Sequence, residues 1–249
     1  MNYKDFAIKL AKDASVVIKA NFKLDMKKDW KSDKTPVTVT DKRVNDLVIA
    51  RVKKQFPTHG VLGEEKSYLP QKSDMVWVCD PIDGTIPFSH GIPTFVFSLA
   101  LVKDGRPILG VIAAPLENRI YVAETGKGAY LNGKRIHVSK DGFDNAVGFW
   151  EVKSMTEICK TYKNVFWLNI YSICYEGITV AHGGAIATFY DYGYAHDVAA
   201  LKVIVEEAGG KVTDKDGHEQ RYDGPVNGAL ITNGKVHKQL LEFIKFHHK

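Results

Sequence analysis

Val76-Trp77-Val78-Cys79-Asp80-Pro81-Ile82-Asp83-Gly84-Thr85 starts as an apolar run of strand character and ends in a turn. Pro81 has no N–H to donate, so the ladder is expected to stop there. Asp80 and Asp83 then stand at the end of a buried strand. Two carboxylates so placed are costly unless something positive lies between them. A hard divalent cation, which prefers oxygen ligands, meets that need. Gly84 lets backbone approach a ligand, and N–H groups at the start of the next helix suit a phosphate. A plain Asp-Gly turn has the same letters, so the stretch is read together with the carboxylates elsewhere.

Outward from this stretch, the chain has the composition of a soluble globular protein. It has 249 residues, of which 45% are hydrophobic and 25% charged. That is enough for one large domain or two fused lobes. No apolar run approaches the ~18 residues of a membrane span, and Met1 to Lys12 has no signal-peptide core. The cysteines, Cys79, Cys159 and Cys174, show no C-x-x-C spacing and read as reduced, buried thiols of a cytoplasmic protein. The net charge of +5 is spread as single lysines. It forms no basic stripe with interleaved aromatics, so nucleic acid is not expected as a partner.

In chain order, Asp5 to Phe22 has the stripe of an amphipathic helix. Lys27 to Asp33 is a charged connector around Trp30, and Thr35 to Thr40 an extended arm or half of a hairpin. A second helix starts at Asp41, which either caps it or serves a site, and ends at Pro57. Val61-Leu62 is a short strand, and Gly63 aims the following Glu64 inward. Glu65 points the other way. After the opening stretch come strands at Thr94 to Val102, Ile108 to Ala114, Arg119 to Glu124 and Ala129 to Leu131. Asp104-Gly105 and Asn132-Gly133 are hairpin signals, so this first sheet is antiparallel. Asp141 to Asn145 marks the crossing into a second lobe. There, strands Ala146 to Trp150, Val165 to Asn169, Ile186 to Tyr190, Lys211 to Asp214 and Leu230 to Thr232 alternate with helices. The helices run Met155 to Tyr162, Ser172 to His182, Ala195 to Ala208 and Val236 to His247. The fold expected is an α+β, layered α-β-α-β-α sandwich. A largely antiparallel first lobe (residues 1–141) is joined to a smaller mixed α/β lobe (142–249).

Asp197 lies in the first turn of an otherwise apolar helix, where a carboxylate suits either the helix dipole or a ligand role. Asp191 ends a strand just before it, serving the turn at Gly193 or a substrate. His59, His137, His237, His247 and His248 read as surface side chains. His196 is either a substrate contact or a helix-start residue.

Asp80-Pro81-Ile82-Asp83-Gly84-Thr85 resembles the signature of the inositol monophosphatase family of metal-dependent, lithium-sensitive phosphatases. Gly63-Glu64-Glu65 resembles the family's first acidic motif. His196-Asp197-Val198-Ala199-Ala200 with Glu207-Ala208-Gly209-Gly210 resembles its C-terminal motif. The three stand in the family's order, over roughly residues 5 to 245. The resemblance implies one metal held by Glu64, Asp80 and the Ile82 carbonyl, and a second held by Asp80, Asp83 and Asp197. This all-oxygen set suits Mg2+, with Mn2+ as a substitute. Glu64 and Thr85 would orient the attacking water, the N–H groups of Gly84 and Thr85 would hold the phosphate, and Asp41 would sit near a weakly held extra metal. Asp191 and His196 would face the substrate.

The implied activity is hydrolysis of a small phosphorylated alcohol, inositol monophosphate-like, by a cytoplasmic homodimer. Histidinol phosphate and fructose 1,6-bisphosphate are alternatives. So is a regulatory role at RNA polymerase or the ribosome, in which catalysis is dispensable. Bisphosphonucleotides rank lowest, because those enzymes often carry Leu at the place of Ile82 and Lys-Glu after Thr85. The chain departs from the family at Ile86-Pro87, where Thr-Asn is frequent, and at His196, where Trp is.

Overall fold

The computed structural model describes residues 2–24, 29–30, 36–70 and 73–247. Helices α1 (Tyr3–Asn21) and α2 (Val39–Gln55) flank a two-stranded ribbon, β1 (Asp29–Trp30) with β2 (Pro36–Val37). The rest of the Lys27 to Asp33 connector lies outside the described residues, as do Thr35 and His248. The first sheet follows with β3 (Gly60–Gly63), β4 (Met75–Asp83), β5 (Val96–Lys103), β6 (Arg106–Ala114), β7 (Arg119–Glu124), β8 (Ala129–Leu131) and β9 (Lys134–Arg135). These strands pair in chain order, and only β3–β4 is parallel. Both hairpin signals form as expected. Asp104 and Gly105 have φ of 52° and 81°, Asn132 and Gly133 48° and 80°, and two successive positive φ values define the turn that suits strand twist.

A short helix, α3 (Thr85–Ser89), links β4 to β5. The second sheet is built from β10 (Ala146–Trp150), β11 (Val165–Leu168), β12 (Ala187–Tyr190), β13 (Lys211–Thr213) and β14 (Ala229–Thr232). Its order is β11-β10-β12-β14-β13, parallel on the β10 side and antiparallel at β14. Helices α4 (Met155–Thr161), α5 (Ile173–Ala181), α6 (Ala195–Glu207) and α7 (His237–His247) complete the chain.

Period-two alternation along β4 builds the layers. Trp77 and Cys79 pack with Phe6, Leu10, Val44 and Val48 of α1 and α2. Val78 faces the other way, into a core with Val198, Leu201 and Val205 of α6 and Ile178 of α5. Beyond the second sheet, Leu240 and Phe243 of α7 and Ile158 of α4 pack on Trp150, Phe189 and Leu230. The result is the expected layered sandwich, with α5 and α6 between the sheets.

Four expectations are corrected. The β4–β5 ladder does not stop at Pro81; it breaks after Asp80 and resumes at the Asp83–Val96 pair. Pro81 falls inside the irregularity, where no ladder N–H is needed. His59 is buried and accepts a hydrogen bond from Trp77 Nε1 at Nδ1, 3.2 Å away. His237 is also buried, between Thr213 and Thr232. Cys159 is exposed, because it lies on the outer side of the short α4, whereas Cys79 and Cys174 are buried as expected.

Candidate metal centre

Register brings the first carboxylates together. Gly63 pairs with Cys79 across β3–β4, and Glu64 N donates to Cys79 O at 3.1 Å. Glu64 therefore sits beside Asp80. Asp80 turns its Oδ1 back to accept from Ile82 N at 2.9 Å. The irregularity that contains Pro81 lets Asp83 leave the strand on the same side. Its Oδ1 accepts from Ser172 Oγ and, at 3.1 Å, from Cys174 N at the start of α5.

Gly84 follows with φ of 90°. A Cβ there would lie 2.8 Å from Thr94 O and 3.0 Å from Ser172 Cβ, so both conformation and space require glycine. Gly84 is the N-cap of α3, and no side chain caps that end. Pro87 lies in the first turn of α3, where a missing N–H costs nothing. Thr85 Oγ1 lies 3.0 Å from Ile82 O and 3.4 Å from Asp41 Oδ1.

Asp41 does not cap α2. Thr38 does, and Asp41, three residues on, closes a capping box. Its Oδ2 accepts from Thr38 N at 2.8 Å and from Thr38 Oγ1. A β-branched run hid the start of this helix. Asp197 takes the same position in α6, accepting from Tyr194 N at 2.7 Å through Oδ2. Two contacts seat that helix end: Cys174 Sγ donates to Asp197 O at 3.1 Å, and Ser98 Oγ to His196 O at 3.4 Å. Ser98 is the register partner of Asp80.

Two overlapping groups result. Asp80, Asp83 and Asp197 offer oxygens within 4.8 Å of one another, and so do Glu64, Asp80 and His196, the last through a ring nitrogen. The cluster thus has an imidazole beside it, which the motifs did not suggest. Exposures of 0% for Asp41, 3% for Asp80, 4% for Asp83 and 9% for Asp197 mean that water does little to relieve the repulsion. Burial, then Glu64, Asp83 and Asp197, push the Asp80 carboxyl well above its usual range. Burial and Asp197 push Asp83 up to about 7. Asp41 rises to about 6 through burial, opposed by its Thr38 hydrogen bonds and helped by Glu64 and Glu65. The donor set fits a hard cation: buried carboxylate oxygens whose like charges repel one another.

Asp191 directly follows β12. Its carboxylate pairs with Lys215 at 2.9 Å and Lys153 at 3.5 Å, and its N–H donates to Glu151 at 3.2 Å. Gly193, two residues on, comes within 3.5 Å of Asp197 Oδ2, counted from the position its Cβ would take. His196 Nε2 is 3.7 Å from Asp197 Oδ1. Ser172 and Thr38 are the site residues that motifs did not single out. A serine before an apolar helix signals a cap, but its partner 89 residues earlier is invisible without the fold.

The family model described as Inositol monophosphatase family matches residues 2–249. The chain belongs to the inositol monophosphatase family. A fructose-1,6-bisphosphatase/inositol-1-monophosphatase of Thermotoga maritima is 31% identical over 252 residues, covering 98% of this chain and 96% of that protein. A histidinol-phosphatase of Mycobacterium tuberculosis is 32% identical, covering 94% and 95%. The solved structure of a Thermotoga maritima IMPase superimposes with a TM-score of 0.90 at 30% identity, over 99% of this chain and 98% of that one. The chain is accordingly a phosphoric monoester hydrolase that acts on small phosphorylated substrates. No helix among the described residues is long and apolar enough to cross a membrane.

Proposed function

We propose that this enzyme hydrolyses an inositol monophosphate-like ester with Mg2+ held by Glu64, Asp80, the Ile82 carbonyl, Asp83 and Asp197. The observation that carries the reading is the convergence of Asp80, Asp83 and Asp197, all buried, beside Glu64. When bound, Mg2+ supplies Lewis acidity toward water and the phosphoryl oxygens. Thr85 donates to Asp41 and turns its lone pairs toward the attacking water. Glu64 accepts that water's other proton. The N–H groups of Gly84 and Thr85 receive the phosphoryl oxygens. No side chain has to be phosphorylated, so water attacks directly. By family habit we expect a homodimer.

The leaving alcohol lies toward the rim, where Asp191 and His196 would meet its hydroxyls. A second reading, a sugar bisphosphate, is favoured by Lys153 and Lys215 on either side of Asp191, which offer positive charge to a second phosphate. Steady-state rates on a panel of phosphorylated metabolites with Mg2+ decide the matter. Highest kcat/KM on inositol monophosphate supports the first reading, and preference for fructose 1,6-bisphosphate the second. No turnover of any phosphomonoester contradicts both.

A further inference from the structure

Glu64, Asp80 and His196 each bring a ligand atom within 4.8 Å of the other two, and Asp80 also belongs to the Asp80–Asp83–Asp197 group. The imidazole is held in place. It stacks on Tyr194 with ring centroids 5.2 Å apart and planes 12° from parallel. The carbonyl of the same residue accepts from Ser98, the strand partner of Asp80. His196 is therefore tied to β5 at the level of Asp80. A neutral imidazole adds a donor to the cluster without adding negative charge. Its nitrogen also differs in kind from carboxylate oxygen: Mg2+ gains little from it, whereas Mn2+ and Co2+ accept it readily.

We propose that His196 is a nitrogen ligand of the cation held by Glu64 and Asp80, and that this position therefore binds Co2+ and Mn2+ in preference to Mg2+. The inference rests on the reading of the carboxylate cluster as a metal centre. It takes His196 away from the substrate and gives it to the metal.

Pulsed electron paramagnetic resonance on the Mn2+-loaded full chain tests this directly. A bound imidazole nitrogen modulates the Mn2+ echo at nitrogen frequencies, where carboxylates and water contribute nothing. The expected result is nitrogen modulation in the parent, its loss in His196→Gln, and its persistence in His218→Gln. The last variant controls for the Asp214–Asp216–His218 group, in which Asp216 and His218 are exposed. Calorimetry should show Co2+ affinity reduced about tenfold in His196→Gln. Mg2+ affinity should change less than about twofold. Mn2+ that binds the parent without nitrogen modulation overturns the proposal and leaves the carboxylate centre standing. No stoichiometric Mn2+ or Mg2+ binding in the parent overturns the metal centre itself. Should His196→Gln fail to fold, the parent and His218→Gln spectra still decide. Modulation in both supports His196, and loss in His218→Gln overturns it.

Discussion

Ser172 and Asp83 stand 89 residues apart in sequence, and the serine hydroxyl donates to Oδ1 of the aspartate, the same oxygen that Cys174 N reaches at 3.1 Å. The helix that spans the gap between the two sheets thus begins by fixing a candidate metal ligand. Ser172 also caps α5 by accepting from Tyr175 N at 3.3 Å. Both bonds to Asp83 favour its ionised form, against burial and Asp197.

Replacement Ser172→Ala should therefore do two separable things. Cap loss lowers stability by about 1 kcal/mol. Loss of the hydroxyl leaves Asp83 harder to ionise and less well aimed, so the Mg2+ concentration for half-maximal rate rises about tenfold. A Mg2+ titration of phosphate release reads the second effect, and an unchanged half-saturation would reduce Ser172 to a cap.

Metal-free Asp80→Asn and Asp83→Asn should melt at or above the parent temperature. In the parent both carboxyls have raised folded pKa values, Asp83 rising from 3.8 to about 7. The unfolded chain then gives up these protons first, so the parent loses stability as pH rises through about 7 and keeps it below about 4. The gain in the variants is accordingly largest above neutral pH and absent in acid. Melts in chelator at pH 5 and pH 8 give the comparison. A fall of many degrees at pH 8 would mean that these aspartates are structural.

Asp41→Ala removes the acceptor for Thr38 and for Thr85 together. The capping box costs about 1 kcal/mol when broken. With Thr85 Oγ1 left to donate to Ile82 O alone, and no longer aimed by Asp41, kcat should fall about 10- to 100-fold at saturating Mg2+. Thr38→Ala breaks the same box and leaves Asp41 facing Thr85, so it should lose stability with much less effect on kcat. Equal kcat losses in the two variants would make the Asp41–Thr85 contact irrelevant to chemistry.

The strands, hairpins and layers were legible because each rests on a local pattern: alternation in β4, Asp-Gly and Asn-Gly at the turns, apolar stripes on α1 and α6. The carboxylates that the fold brings together, Asp80, Asp83 and Asp197, were legible because their motifs are short. What escaped reading depends on the fold. His59 and His237 look like loop histidines until Trp77 and two threonines close over them. Thr38 was hidden inside a run that resembles a strand. The placement of His196 beside Glu64 and Asp80 follows from the Ser98 contact, which joins residues 98 positions apart.

His237 offers a pH test away from the site. Thr213 gives its own hydroxyl proton to Asp214 O, 2.8 Å away, so His237 Nε2 must be the donor in that pair and Nδ1 the acceptor from Thr232. The ring is neutral, and burial with Lys211 and Lys202 nearby lowers its pKa from 6.5 to about 4. The unfolded chain takes up this proton first, so stability is lost as pH falls from about 6.5 toward 4. His237→Gln should be less stable than the parent at pH 7, with a shallower decline over that window. Urea midpoints at several pH values check the slope, and a parallel decline would show that His237 does not titrate there.

Phosphate release from inositol monophosphate, measured with Mg2+ for the parent and for Asp80→Asn under conditions where both are folded, tests the central claim most directly. Asp80 belongs to both ligand groups, so its loss should disable the whole centre. The predicted result is Mg2+-dependent turnover in the parent, abolished by chelator, and a loss of more than about 100-fold in the variant at any Mg2+ concentration. Turnover retained by Asp80→Asn, or by the parent after exhaustive chelation, would contradict the account.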